Sequence, residues 1–573
     1  MRIYFLEKFF LAGLLFLGLI LWYYQIIKGP YFQRLSDNNR IRIVPIMPDR
    51  GDLLDREGRK IASEIPSFDL ALIPQELKDT ELVLEELSRM LDISLDETKR
   101  IYRKNILSPF APVTIARNIP LEKIALIEEQ KPDLAGVDLE INSRRFYPFG
   151  ATAANLIGYL SEINTAELER LKPYGYRIKS LVGKSGLEKS LDVYLRGEPG
   201  GRQVEVDNRG NMVGVLGEKK AIAGKEIELT INMEWQNKAH QLITAHKGAI
   251  LIMDPRDGQI LVLESSPSFD PNLFVLGDIK KLRPILNSPK SPLLNRALKA
   301  NFSPGSIFKL VVAIAGLETK KINPHSQFRC DGKLYLGKEE FKCWEEKGHG
   351  NQTLVDAIKH SCNIFFYKLG SELGYENIRN FAKILGLSEN SGIGLQEESK
   401  GLIPNASWKY SVHREKWFEG DTLNLAIGQG FVLVSPIQIL RLVAAIGNGG
   451  FLVKPYLVKN IAGTPVQEIK REFTGIKEEN LNIVKEGMLR VVNNPDGTGN
   501  RARIEGLDIA AKTATVQTSK GTTHAWIAGF LPYQNPKLAF VVFLEHGGRG
   551  GVEAADICHA LFSELKQDIL NYK

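Results

Sequence analysis

The residues with the clearest chemical potential are Ser306 and Lys309, set in Ser303-Pro304-Gly305-Ser306-Ile307-Phe308-Lys309 and followed by the apolar run 310–316. Pro304 and Gly305 break the backbone ahead of a helical pattern, so Ser306 is expected at or just inside a helix N-terminus. Lys309, three residues on, shares the same helix face, and its amine can reach the serine hydroxyl. Burial in an apolar core lowers a lysine pKa and lets the amine act as a base toward a serine nucleophile. The positive helix end would help to hold charge developing beside the serine. On its own the pattern is better explained by a capping serine and a snorkelling lysine. Two further groups give it company: Ser361-Cys362-Asn363, ahead of Ile364-Phe365-Phe366-Tyr367, and Lys512-Thr513-Ala514-Thr515 in a β-like run. Singly these too have plain explanations, as loop, cap or solvated strand residues.

Bringing the three groups together requires a large fold. Beyond a polar stretch at 217–225, residues 226–231 alternate as a strand, 235–246 read as a helix, and 248–254 with 259–264 flank a Pro255-Arg256-Asp257-Gly258 turn as a hairpin. Strands are expected again at 509–515, 526–531 and 538–544, with a closing helix from Val552 to about Leu570. Strands at both ends with helices between imply one antiparallel sheet covered by helices, a mixed α/β (α+β) fold. Upstream, 46–225 alternates short β-like and amphipathic helical runs without the marks of a catalytic site, as a pedestal or partner-binding domain would. Within it, 50–58 reads as two turns around a short strand and 82–91 as a helix. The segment 183–188 lacks the full phosphate-loop pattern and is read as a helix start, with Ser185 capping and Glu188 at the third helical position.

Residues 9–27, FFLAGLLFLGLILWYYQII, match the roughly 20 apolar residues needed to span a bilayer, and end in Trp22, Tyr23 and Tyr24 as an interfacial belt would. No small-x-small cleavage site follows, which favours an uncleaved anchor. Flanking charge points the wrong way for export, yet long domains translocate largely regardless of it. The expected domains are therefore 1–45 (cytoplasmic tail, anchor and linker), 46–225 (pedestal) and 226–573. With 43% hydrophobic and 25% charged residues the chain is neither disordered nor fibrous. A net charge of +7, without Lys/Arg runs interleaved with aromatics, gives a nucleic-acid partner little support, and a basic surface facing an anionic membrane or wall polymer fits it equally well.

A serine with a lysine three residues on, then Ser-x-Asn, then a Lys-Thr-Gly-like strand, in that order, resembles the penicillin-binding proteins and serine β-lactamases. The resemblance extends through Arg50-Gly51-x-x-x-Asp55-Arg56, Arg144-Arg145-x-Tyr147-Pro148, the 183–188 segment, Gly258, Trp417-x-x-Gly420-Asp421-Thr422, Gly428-Gln429-Gly430 and His524-Ala525-Trp526. It is that of the class B penicillin-binding proteins, and among them of the elongation-type penicillin-binding protein 2 family. The layout it implies is a single-pass anchor in the bacterial inner membrane, a pedestal of the dimerisation type, and an extracytoplasmic transpeptidase domain. The activity it implies is a peptidoglycan D,D-transpeptidase in wall elongation and cell shape, with carboxypeptidase hydrolysis as a side reaction. A β-lactam sensor, a β-lactamase or a septal transpeptidase are the alternatives. By resemblance Ser306 is the nucleophile, Lys309 its base, Ser361 the proton relay, and Asn363 the ligand of the substrate amide. Lys512, Thr513 and Thr515 hold the substrate carboxylate, and the backbone N–H groups of Ser306 and Thr515 form the oxyanion hole. The implied partners are peptidoglycan stem peptides, β-lactams, a SEDS-family glycan polymerase of the RodA type and an MreC-type regulator. The family usually has Gly where this chain has Ala514; its methyl faces either the substrate or the nucleophile helix.

Of four cysteines, Cys330 and Cys343 could form a disulfide in an exported domain. A second reading uses more of the chain: Cys330-x12-Cys343-x5-His349-x12-Cys362 supplies three sulfurs and one imidazole, the ligand set of a closed structural zinc site. The segment also resembles a zinc-carrying loop of the family. One zinc per chain is the expected cofactor. Alternation would point Cys362 away from the cleft while Ser361 and Asn363 point in, so the metal would fix both from behind. Cys558 is expected in the core.

Overall fold

The computed structural model describes residues 2–106, 112–130, 134–178, 180–207, 212–466, 469–518 and 521–572. The chain folds as two units: one takes 1–51, 64–144 and 196–224, the other 52–63, 145–195 and 225–573. The span 46–225 is therefore not one contiguous body, because two of its stretches are built into the unit that carries the catalytic motifs. Strand pairing accounts for the first: Leu53–Leu54 runs parallel to Ile227–Leu229, whose other edge pairs with Val458–Ile461. The strand expected at 226–231 thus forms but stands outside the main sheet. A buried ion pair ties the second stretch internally. Arg145 Nε donates to Glu188 Oε1 at 2.7 Å with both side chains sealed from solvent, and Tyr147 Oη donates to the same oxygen at 3.2 Å. Ser185 makes no side-chain cap, so Glu188 serves this pair and not a capping box.

In the larger unit, α1 (Met233–Ile243) precedes the hairpin of β1 (Lys247–Met253) and β2 (Ile260–Ser266). There follow α2 (Lys309–Glu318), α3 (Leu354–Lys359), α4 (Asn363–Ile384), α5 (Pro436–Gly447) and α6 (Glu478–Asn493). The chain then adds β3 (Ala510–Gln517), β4 (Thr523–Leu531), β5 (Leu538–Glu545) and α7 (Ala555–Glu564). The five strands form one antiparallel sheet in the order β2-β1-β5-β4-β3, with Leu251 opposite Val541. Helix α5 packs on β1, β4 and β5, and α1 packs on β1 and β2. Every residue of β2 is buried, as is all of 538–544, which is why these strands read as continuous apolar runs instead of alternating ones. The closing helix is interrupted: a π-turn at Gly550–Ala554 leads into α7, and Lys566–Asn571 follows separately.

Helix α2 runs through the core, with all of Lys309–Leu317 buried, so it is apolar all round and not amphipathic. Its five larger aliphatic side chains, Leu310, Val311, Val312, Ile314 and Leu317, contribute about 10 kcal/mol of gross burial free energy. That is ample to hold a buried amine at its first residue.

In the other unit, Arg2–Trp22 is α-helical and continues into a π-turn at Tyr23–Ile27. Ile3–Ile27 is 25 residues long and holds an 18-residue window of mean hydropathy 2.0, long and apolar enough to cross a bilayer, and contains the expected span. Ile41–Ile46, Gly200–Val206 and Met212–Lys219 form an antiparallel sheet. Thr80–Leu91 is a helix capped by Asp79 and buries Val83, Leu84 and Leu87 against Val113, Ile115 and Ile127.

Candidate active site

Ser306 lies in a 3-10 turn, Gly305–Phe308, that runs directly into α2 at Lys309, where the sequence suggested an α-helical start. Residues three apart eclipse in a 3-10 turn, so Ser306 and Lys309 still share one face. The turn is clamped from two sides. Gly305 has φ +52, and a Cβ on it would lie 2.5 Å from Val516 Cγ2 and 3.3 Å from Ala514 Cβ. Of the two directions open to the Ala514 methyl, it takes the one toward the Gly305–Phe308 turn that carries Ser306. Gly428, at φ +69, accepts from Gly305 N at 2.9 Å and from Ser303 Oγ at 2.6 Å, and a Cβ on it would fall 2.2 Å from Gly305 O. Sequence resemblance marked Gly428 without giving it this task. Half-buried Ser306 is thus held between β3 and the Gly428 turn.

Lys309 Nζ, fully buried, donates to Ser361 O at 2.8 Å and to Asn363 Oδ1 at 2.7 Å, with Ser361 Oγ at 3.3 Å. Among the described residues no hydrogen bond joins it to Ser306. The amine is engaged by the second motif instead of the first. Burial pushes its pKa down from 10.5 to about 8, while the cysteine cluster behind acts in the opposite direction. Ser361 sits in the tight link between α3 and α4, in the left-handed region at φ +54, and Cys362 is the first cap of α4. Asn363 Nδ2 donates to Lys342 O at 3.0 Å, so both ends of this amide are held by protein groups.

The third motif lies on β3, the edge strand of the sheet, whose outer side no neighbouring strand covers among the described residues. Lys512 is fully buried and donates to Thr513 O at 3.0 Å. Burial, and then the charge of Lys309, pushes its pKa well below the ordinary value. Thr513 Oγ1 donates to Thr498 Oγ1 at 3.1 Å, and exposed Thr515 accepts from Gly550 N at 3.0 Å. Thr498 was not singled out from the sequence; its setting, Asp496-Gly497-Thr498-Gly499, signals only a turn.

Directly behind the second motif, Cys330, Cys343, His349 and Cys362 bring their ligating atoms within 4.8 Å of one another. Two short ladders build this loop, Phe328–Cys330 with Gly350–Gln352 and Lys333–Leu336 with Glu339–Lys342. Nδ1 of His349 lies 3.6 Å from Cys330 Sγ and 3.5 Å from Cys343 Sγ. All four cysteines are free thiols. The Cys362–Cys343 hydrogen bond lowers the pKa of Cys343 and raises that of Cys362. Cys362 points into this cluster while its neighbours Ser361 and Asn363 point to Lys309, the alternation expected from the sequence. Cys558 is buried in α7, where burial pushes its thiol up.

Residues 248–563 match the penicillin binding protein transpeptidase domain, and 45–229 match the penicillin-binding protein dimerisation domain. The peptidoglycan D,D-transpeptidase MrdA of Salmonella typhimurium is 31% identical over 94% of this chain and 92% of its own. That of Escherichia coli K12 is 30% identical over 94% and 90%. Among solved structures, the Helicobacter pylori penicillin-binding protein 2 in complex with MreC superposes with a TM-score of 0.83 at 28% identity, covering 93% of this chain and 99% of that one. A chain described under the structural coordination of polymerization and crosslinking by a peptidoglycan synthase complex gives 0.75 at 30% identity, covering 98% of both. Since the likeness runs through both matched domains and nearly the full length of these relatives, the chain belongs to the class B penicillin-binding protein 2 family and is a peptidoglycan D,D-transpeptidase.

Proposed function

We propose that this transpeptidase works through an acyl-enzyme on Ser306. The supporting observation is the Lys309 amine, buried one turn after Ser306 and shared between Ser361 and Asn363. Ser306 Oγ attacks the carbonyl of the penultimate D-Ala in a stem peptide ending D-Ala-D-Ala, and Lys309 Nζ takes its proton. Ser361 Oγ passes a proton to the departing D-Ala amine. An extended substrate lies along the open edge of β3, its carboxylate received by Thr513 and Thr515 with Lys512 supplying charge from beneath. The N–H groups of Ser306 and Thr515 meet the oxyanion, worth roughly 3 kcal/mol per donor. An amine of a neighbouring stem peptide then takes the acyl group and completes the cross-link; water in its place gives carboxypeptidase hydrolysis. Fluorescent penicillin should label the wild type with a long-lived adduct and leave Ser306→Ala unlabelled. Labelling of the variant, or rapid turnover with full recovery of free enzyme, overturns this reading.

The cysteine cluster is assigned to one structural zinc ion. A tetrahedral ion bound by sulfur and nitrogen sets these ligands about 3.5 Å apart, which the two Sγ–Nδ1 distances of 3.6 and 3.5 Å match, and Cys3His is a closed set without an open position for chemistry. Cys330, Cys343, His349 and Cys362 would hold it, and it would steady the Lys342 carbonyl that receives Asn363. Purified protein should carry about one zinc per chain. Metal-free protein with an oxidised Cys330–Cys343 pair overturns the assignment.

The N-terminal helix supports a single-pass anchor; a reaction on wall stem peptides calls for that anchor in the cytoplasmic membrane with the transpeptidase domain outside. Likeness to the synthase-complex chain and to the MreC-bound relative supports a RodA-type polymerase and an MreC-type regulator as partners, and with them a role in elongation.

A further inference from the structure

We propose that Thr498 is a positioning residue for the terminal carboxylate of the acyl donor, acting through Thr513 by reversing the direction of one hydrogen bond. The inference rests on the reading that Thr513 receives that carboxylate. Thr513 Oγ1 donates to Thr498 Oγ1 across 3.1 Å, and Thr498 Oγ1 donates in turn to Lys359 O at 3.2 Å. A hydroxyl has one proton to give, and a carboxylate only accepts. While the Thr513 proton is given to Thr498, none is left for the substrate. Carboxylate binding therefore turns that proton into the cleft, and the two threonine oxygens, 3.1 Å apart, then need another proton between them. Thr498 supplies it by swinging its own hydrogen from Lys359 O to Thr513 Oγ1. The swing costs little, because Lys359 O keeps the Thr498 N–H at 3.4 Å. The bound state is a chain of aligned donors from Thr498 through Thr513 to the carboxylate, each bond polarising the next.

The turn that carries Thr498 is fixed for this task. Asp496 Oδ2 accepts from Lys359 Nζ at 2.8 Å and lies 3.0 Å from His360 Nε2, pinning the turn to the end of α3. On its other side it lies flush with β3: a Cβ on Gly499 would sit 3.2 Å from Thr513 Cγ2 and 3.0 Å from Val491 Cγ1. The same residue, Lys359, thus gives its side chain to Asp496 and its carbonyl to Thr498.

The test compares two probes on the full chain in detergent: an N-acyl-D-alanyl thioester of mercaptoacetic acid, which ends in a carboxylate, and its methyl ester, which does not. Thr498→Val should lower kcat/KM for the acid about tenfold, chiefly through KM, and change the ester by less than about twofold. Thr498→Ser should restore the wild-type ratio. Thr513→Val should show the same selectivity, and adding Thr498→Val to it should cost nothing further. Equal losses on acid and ester, or no loss in Thr498→Val while Thr513→Val is selective, overturns the role of Thr498. A Thr513→Val variant without selectivity removes the reading of Thr513, and the proposal with it.

Discussion

If Lys309 is the base proposed above, its pKa sets the pH at which Ser306 is acylated. Burial lowers it from 10.5 to about 8, so the free amine is the minor form at neutral pH. With a midpoint near 8, about 9% of the enzyme holds a free base at pH 7 and about 91% at pH 9. The acylation rate should therefore rise about tenfold between those values and level off above. A lysine at its ordinary value would be free in only ~0.03% of molecules at pH 7, so burial raises the supply of base about 300-fold. The same shift has a cost in stability. The folded pKa lies below the unfolded one; the penalty, about 3 kcal/mol, is full below pH 8 and disappears as pH rises from 8 toward 10.5. Lys309→Met removes that penalty but strands the Ser361 carbonyl and Asn363 Oδ1, at about 1 kcal/mol each. Its stability should therefore change by less than about 2 kcal/mol while acylation is lost. The assay is the second-order rate of penicillin labelling from pH 6 to 9, paired with urea unfolding of the variant. A rate independent of pH over that range, or one still climbing as steeply at pH 9 as at pH 7, refutes Lys309 as the base.

Gly305→Ala places a Cβ 2.5 Å from Val516 Cγ2 in the left-handed region, at about 1–2 kcal/mol for the backbone alone, and should slow labelling of Ser306 at least about tenfold while the fold survives by circular dichroism. Ala514→Gly withdraws the methyl behind that turn and adds backbone freedom, so the melting temperature should fall by an amount equivalent to about 1 kcal/mol. Glu188→Ala leaves the Arg145 guanidinium buried without its carboxylate, and chemical denaturation should show a loss of about 3–5 kcal/mol.

What the sequence reveals of this site follows from how each contact is made. Ser306 with Lys309, and Ser361 with Asn363, are short-range pairs whose spacing survives even when the local helix type changes, as it does at the 3-10 turn of Gly305–Phe308. Lys512 and its threonines were legible because β3 is a buried strand at its start and reads as one. The groups that hold those side chains in place are of another kind. Gly428 O, Lys342 O and Lys359 O are backbone acceptors, and any residue type can supply a carbonyl. Thr498 offers a single hydroxyl in a turn, and nothing in its spacing ties it to Thr513, fifteen residues on across a strand start. The two-unit division is hidden for a similar reason. Leu53–Leu54 pairs with Ile227–Leu229 across more than 170 residues, and a two-residue strand leaves no periodicity to read. The cysteine cluster falls between these cases: the donors are chemically conspicuous and alternation already turns Cys362 away from Ser361 and Asn363, but only the ladders that fold 328–352 back on itself bring Cys330, Cys343 and His349 to one place. The candidate catalytic groups are thus written in residue type and local spacing, whereas their alignment depends on backbone groups that become visible only once the chain is folded.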